Sequence, residues 1–265
     1  MTSFLTIANW NLERVIPGTK RSVRVANECK EVDAEIWFLT ETHEAFSPRK
    51  GYFSLTSGRP DRVSKAGERW SAIWSKWPLE PQDDYVTDSA RCVAGRVVES
   101  PCGELILFGT VLPWRNDPRA QGRSAEEVFI EELEKQKLDW LKIRKDFPNA
   151  TLIVAGDFNQ DLAPSHYYGS HASKKHLSTS LEEVGLIALT GGADDPIARD
   201  SPPMACIDHI CVSSAKDRFL NPTSRWPEAL SPAKEFSDHF GVLVKLNILH
   251  LSKNDQTGRS FPGFE

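Results

Sequence analysis

The chain has 265 residues, 40% hydrophobic and 26% charged, an ordinary balance for a globular protein able to bury a sizeable core. Its net charge of −5 excludes a global field drawing it to nucleic acid or anionic lipid, although local basic loops and a bound cation can still hold a phosphate. The five cysteines (Cys29, Cys92, Cys102, Cys206 and Cys211) are odd in number and form no CxxC pair, so they read as reduced, mostly buried thiols.

The N-terminal residues pass directly into Phe4-Leu5-Thr6-Ile7-Ala8, with no basic region or cleavable apolar segment, and no run reaches membrane-spanning length. A cytoplasmic protein without membrane insertion is the expectation. Phe4 to Asn9 reads as the first strand, and Lys20 to Val32 as a surface helix. Glu35 to Thr40 is a second buried strand, ending in Glu41. Tyr52 to Thr56 is short and strand-like, and Gly58 to Gly67 is a loop holding Arg59, Arg62 and Lys65. Arg69 to Trp77 alternates and stops at Pro78. Cys92 to Val98 and Leu105 to Leu112 are β runs joined by a hairpin-type turn. Ser124 to Asp146 is the clearest helix: Ser124 and Glu127 have capping-box spacing, and Phe129, Ile130, Leu133, Trp140 and Leu141 fall along one face. A further helix spans Ser173 to Val184 and closes at Gly185. Strands follow at Leu186 to Leu189, Ile207 to Val212 and Phe240 to Ile248. Many consecutive β runs without strict β-α alternation argue for two packed mixed β-sheets covered by helices, in one domain over residues 1–250 with a loosely held tail over 251–265.

Before the strand at Ile207 lies the most informative stretch, Thr151 to Gln160. Leu152 to Ala155 is a continuous apolar run, short enough to be a strand buried on both faces. Gly156 frees the backbone, and Asp157 and Asn159 follow at a spacing of two, which in an extended chain puts both side chains on one side. A polar turn after a core strand accounts for the same residues. The pattern recurs, however. Asn11 follows the first strand, Glu41 ends the second, Asp208-His209 sits in Cys206-Ile207-Asp208-His209-Ile210, and Ser237-Asp238-His239 opens the last. Strand ends gathered on one edge bring carboxylates, amides and an imidazole together, a donor set suited to a hard divalent cation with a histidine free for acid–base or electrostatic work.

The ordered set Asn9-Trp10-Asn11, Leu39-Thr40-Glu41, Gly156-Asp157-Phe158-Asn159, Ile207-Asp208-His209 and Ser237-Asp238-His239 resembles the endonuclease/exonuclease/phosphatase superfamily. Ser71 to Leu79 is similar to that family's strand ending in Lys/Arg-x-Pro. The resemblance implies a four-layer α/β sandwich and Mg²⁺- or Mn²⁺-dependent phosphoester hydrolysis. It implies Glu41 as the principal metal ligand, with Asn11 and Asp238 completing or supporting the ion's shell. Asp157 is implied as the group that orients and deprotonates the attacking water, and Asn159 as the holder of that water or of a phosphate oxygen. His239 is implied as the stabiliser of phosphoryl charge, held through its other nitrogen by Asp208. The pattern departs from the family at Phe108 to Asp117, where many members carry a Tyr or His and this chain has neither. Arg115 or Asn116 is the expected phosphate contact in its place, and Trp114 a candidate substrate platform.

A nuclease acting on nucleic acid is the first functional expectation. A phosphatase or phosphodiesterase for a small phosphorylated molecule or lipid headgroup is the second, favoured by the acidic net charge. A catalytically inactive binding module is a distant third. His209 reads as structural, His43 as a rim residue, and His166, His171 and His176 as surface imidazoles whose spacing matches no one-face helical pair. Arg59, Arg62, Arg115, Arg119 and Arg123 read equally as loop charges or as a phosphate-steering rim.

Overall fold

A computed structural model describes residues 4–60, 65–201, 203–213, 219–230 and 235–247. The first sheet contains β1 (Phe4–Asn11), β2 (Ile36–His43), β3 (Phe53–Thr56) and β4 (Glu68–Ser75), joined by β11 (Phe219–Trp226) and β12 (Gly241–Asn247) from the far end of the chain. The second holds β5 (Leu79–Pro81), β6 (Val93–Val97), β7 (Leu105–Val111), β8 (Thr151–Asp157), β9 (Ile187–Ala188) and β10 (Asp208–Val212). Strand orders are β11-β12-β1-β2-β4-β3 and β5-β6-β7-β8-β10-β9. Each sheet has a parallel pair at its centre, β1 with β2 and β7 with β8, and antiparallel pairs around it. The helices are α1 (Lys20–Val32), α2 (Ala125–Asp146), α3 (His171–Val184) and the short α4 (Pro196–Asp200).

Side-chain alternation along the central strands builds the layers. In β8, Ile153 and Ala155 face the first sheet and pack with Ile7, Phe38, Ile73 and Val244. Leu152 and Val154 turn the other way, onto Leu133 and Trp140 of α2 and Leu177 of α3. Trp10 and Trp37 of the first sheet turn outward onto Val25 and Cys29 of α1. The result is the expected four-layer sandwich, and the apolar run at Leu152 is continuous because both of its faces are covered.

Local chemistry fixes the helix bounds. Ser124 and Glu127 form the reciprocal capping box at the start of α2. Its buried face uses Phe129, Leu133, Trp140 and Ile143, whereas Leu141 is exposed, so the expected stripe is displaced by one position at that end. Sequence reading omits β5, β11 and α4, and runs β9 two residues too long, to Leu186 and Leu189. All five cysteines are free and buried. Among the described residues no helix is long and apolar enough to cross a membrane. The tail expected over 251–265 lies outside the described residues, as does Arg62.

Candidate active site

Strand register delivers the polar groups. Asp208 begins β10 directly opposite Asp157 at the end of β8. In the other sheet, Asn11 ends β1 alongside Thr40, one residue before Glu41. Glu41 itself leaves the ladder. Its neighbours pair as Thr40 with Ser71 and Thr42 with Arg69, while Glu41 adopts a left-handed backbone at φ +43°. A non-glycine residue held there costs on the order of 1–3 kcal/mol, which surrounding structure must offset. Asn159 is likewise left-handed, at φ +48°, a conformation its short amide tolerates.

The amide of Asn11 joins the two sheets. Its Nδ2 donates to Asp157 Oδ2 at 3.0 Å and lies 3.4 Å from Glu41 Oε1, while its Oδ1 accepts from the Glu13 N–H at 2.8 Å. Asn159 donates its backbone N–H to Asp157 Oδ1 at 2.9 Å and its Nδ2 to the Leu112 carbonyl at 3.0 Å, tying the ends of β7 and β8 together. Behind them, Asn9 Nδ2 spans the sheets to the carbonyls of Gly156 (2.8 Å) and His209 (3.2 Å). Gly156 is required at this point, because a Cβ there would lie 1.8 Å from the Thr110 carbonyl oxygen of β7.

The imidazole arrives from the segment before β12. His239 Nδ1 is 2.7 Å from Asp208 Oδ2, and Asp238 Oδ1 lies 3.9 Å from the ring's other nitrogen. Trp10 Nε1 donates to the His239 carbonyl at 3.0 Å. The Ser237 hydroxyl donates to the Asn11 carbonyl at 2.7 Å and accepts from the His239 N–H at 3.1 Å. Burial opposes charge on this ring, but the carboxylates of Asp208, Asp157 and Asp238 outweigh it and raise the pKa to about 10. Asp157 is pushed up to about 7, first by burial and then by Asp208, with His239 and the Asn159 N–H pulling the other way.

Donor atoms of Asp157, Asp208 and His239 lie within 4.8 Å of one another, close enough to hold a metal ion. Oxygen dominates the wider set, and among the described residues the buried Asp208 Oδ1 has no hydrogen-bond partner, so the residues fit a hard divalent cation.

The structure thus gathers Asn11, Glu41, Asp157, Asn159, Asp208 and His239 at one sandwich edge. Asp238 sits on the imidazole side, lining a cavity of about 190 Å³ with Asp208 and His239. Trp114 and Arg115 line a separate cleft of about 450 Å³ beside Asn159, whereas Asn116 is exposed and outside its lining. Val111, at the end of the strand near which the resemblance expects a Tyr or His, is buried and apolar.

Several contributors escape sequence reading. Arg14 Nε lies 3.1 Å from Glu41 Oε2, and nothing in Leu12-Glu13-Arg14 marks it apart from proximity to Asn11. Ser237 and Asn9 stand inside the quoted motifs, but their roles need the inter-sheet geometry. His209 is structural, fully buried with its Nε2 3.0 Å from the Gln160 carbonyl. His43 Nδ1 accepts from the Ala45 N–H and its Nε2 lies 3.0 Å from the Ala66 carbonyl of the neighbouring loop. His166 and His171 stack on one another, while His176 pairs with Glu134 elsewhere. Arg119 and Arg123 are taken up by ion pairs with Asp88 and Glu131.

A sequence profile of the Endonuclease/Exonuclease/phosphatase family matches residues 8–239. The chain belongs to that family. No curated protein sequence matches it. The structure is similar to the endonuclease domain of TRAS1, a telomere-specific non-LTR retrotransposon, at TM-score 0.63 and 17% identity, covering 93% of this chain and 99% of that one. It is similar to an AP endonuclease from Archaeoglobus fulgidus at TM-score 0.62 and 18% identity, with 91% and 98% covered. The catalytic domain of Xenopus laevis APE2 gives TM-score 0.63 and 18% identity, with 91% of each chain covered. At these identities the likeness is one of fold. The family is one of phosphoester hydrolases, usually metal-dependent, and the match ends on His239 itself, so it contains every residue of the cluster just described.

Proposed function

We propose that this family member is a Mg²⁺- or Mn²⁺-dependent phosphodiesterase that hydrolyses nucleic acid. The observation carrying this reading is the joint placement of Glu41, Asp157 and an Asp208-supported His239 around the Asn11 amide. When bound, the cation neutralises charge on the phosphoryl oxygens and polarises the phosphorus. Glu41 is the principal ligand in this reading. As oriented, Asn11 gives its oxygen to the Glu13 N–H, so it supports the carboxylates rather than ligating. His239 is kept for the substrate in this reading, with its Nδ1 engaged by the Asp208 carboxylate at 2.7 Å.

Asp157 takes the proton of the attacking water. A carboxylate with its pKa near 7 is matched to that task at neutral pH, and the Asn159 N–H fixes one of its oxygens. The water oxygen bonds to phosphorus, the ester P–O bond breaks, and the leaving oxygen is protonated from solvent. The His239 imidazolium faces the negative charge that grows on the phosphoryl oxygens. Trp114 and Arg115 contact the substrate beside this centre.

A small phosphorylated molecule is the second reading, favoured by the net charge of −5. An inactive module would lack Glu41, Asp157 or His239, and all are present. The deciding experiment incubates the protein with Mg²⁺ or Mn²⁺ against plasmid DNA, RNA, an abasic oligonucleotide, sugar phosphates and sphingomyelin, with a chelator control. Cleavage of a nucleic acid that the chelator abolishes is expected. Turnover of sugar phosphates alone would move the assignment to the second reading.

A further inference from the structure

The cleft beside Asn159 has walls built from two separate loops, and both walls are fixed from behind. On one side, Gln160 and Asp161 continue directly from Asn159 and pin the loop that follows. Asp161, with no exposed surface, accepts the N–H groups of Tyr167 (3.0 Å) and Tyr168 (2.9 Å) and pairs with Lys174 at 2.7 Å. Gln160 donates to the Tyr168 carbonyl at 2.8 Å and accepts from the Ser170 N–H at 3.1 Å. Between them Gly169, at φ +88°, leaves no room for a side chain, since its Cβ would lie 1.9 Å from Gln160 Oε1. The backbone of Tyr167 and Tyr168 is therefore held in place, and the Tyr167 side chain is exposed.

On the other side, the Trp114 ring lies 5.3 Å from that of Trp70, and the buried Arg91 guanidinium sits 5.3 Å from the first ring and 5.4 Å from the second. Arg91 is anchored by its ion pair with Asp117. Trp114 is thus backed by a fixed cation and a second indole.

The space between these walls, about 450 Å³, adjoins Asn159 and is open to solvent, with the exposed Arg115 at its rim. Aromatic side chains carried on a pinned backbone recognise a flat ring by stacking, at a lower ordering cost than side chains on a free loop. A base inside a duplex already has neighbours on both faces and must leave the stack to enter such a slot. The chain's acidic net charge also leaves little to grip a long duplex backbone.

We propose that this cleft receives an unpaired nucleobase next to the scissile phosphate, which makes single-stranded nucleic acid the substrate class. The inference rests on the nuclease reading above. Its test compares three labelled oligomers in Mg²⁺: a single strand, its duplex, and a strand of equal length whose sugars carry no bases. Wild type should hydrolyse the single strand at least about 10-fold more efficiently than either other oligomer, the scale of stacking one base. Trp114→Leu and the folding-safe Tyr167→Leu, at an exposed position, should each shrink the preference for the base-bearing strand by about 5–20-fold. Equal cleavage with and without bases, a preference for duplex, or a preference surviving both substitutions would overturn it. If wild type cleaves none of the three, the nuclease reading fails, and binding of the same oligomers to Asp157→Asn protein, read by fluorescence anisotropy, still judges the cleft. Tighter binding of the base-bearing strand supports it, and equal binding of all three overturns it.

Discussion

Asp157 is buried between another carboxylate and an imidazolium, and its two oxygens are each held by one amide hydrogen. Replacing it with Asn keeps the size and one of the two accepted hydrogen bonds, since the new NH2 cannot accept from the second amide hydrogen, and removes the proton acceptor. Turnover should fall by roughly 10²–10⁴-fold, the usual scale for a general base, with an unchanged circular dichroism spectrum. Its pKa of about 7 also predicts stability. The folded state binds this proton more tightly than the unfolded chain, so the metal-free wild type should lose stability as pH rises from about 4 to 7, and Asp157→Asn should lose less. Thermal melts in chelator at stepped pH measure the difference. For His239 the raised value also belongs to the folded state, so its stabilising contribution is complete below about 6.5 and lost as pH climbs toward 10. Asp208→Asn should lower the pH at which this imidazole deprotonates in the metal-free protein, read by NMR titration of the ring; an unmoved midpoint would break the pair. Glu41→Ala should weaken divalent-ion affinity by calorimetry, and unchanged affinity would transfer the ion to the Asp157–Asp208 side.

At the level of elements, the parallel pairing of β7 with β8 carries the site, and at Gly156 the neighbouring strand leaves no room for a side chain. Gly156→Ala forces a methyl group into the Thr110 carbonyl, so the pair must separate or Asp157 must move. A loss of at least about 3 kcal/mol in urea denaturation is expected, since backbone cannot yield as a side chain does. This strand was readable in the sequence because burial on both faces leaves an uninterrupted apolar run. The helix at Ala125 was readable because its cap is local chemistry. The strand at Phe219 was not: it contains Asn221 and Pro222, its register with β12 shifts between Leu220 and Ser224, and only its partner in the sheet makes it a strand. Similarly, Asn11, Glu41 and Asp157 stand out as polar groups ending apolar runs, Asp208 as one inside such a run and His239 as one opening it. Arg14, Trp70, Tyr167 and Tyr168 did not, since their meaning comes from loops that meet only in three dimensions.

For the whole molecule, electrostatics separates the two substrate readings. A polymer of phosphates is held partly through counterion release, so its KM should rise steeply between 50 and 200 mM salt, by roughly tenfold for every few phosphates contacted. A compact monoester should respond weakly over the same range. The first sheet has one more consequence. Its opening strand is enclosed by its final one, and the Ser237 hydroxyl and the Trp10 indole tie residues 11 and 10 to the segment carrying His239. The cluster therefore cannot assemble from the earlier strands by themselves: until β12 pairs with β1, the first sheet lacks that neighbour and Asp208 has no imidazole beside it.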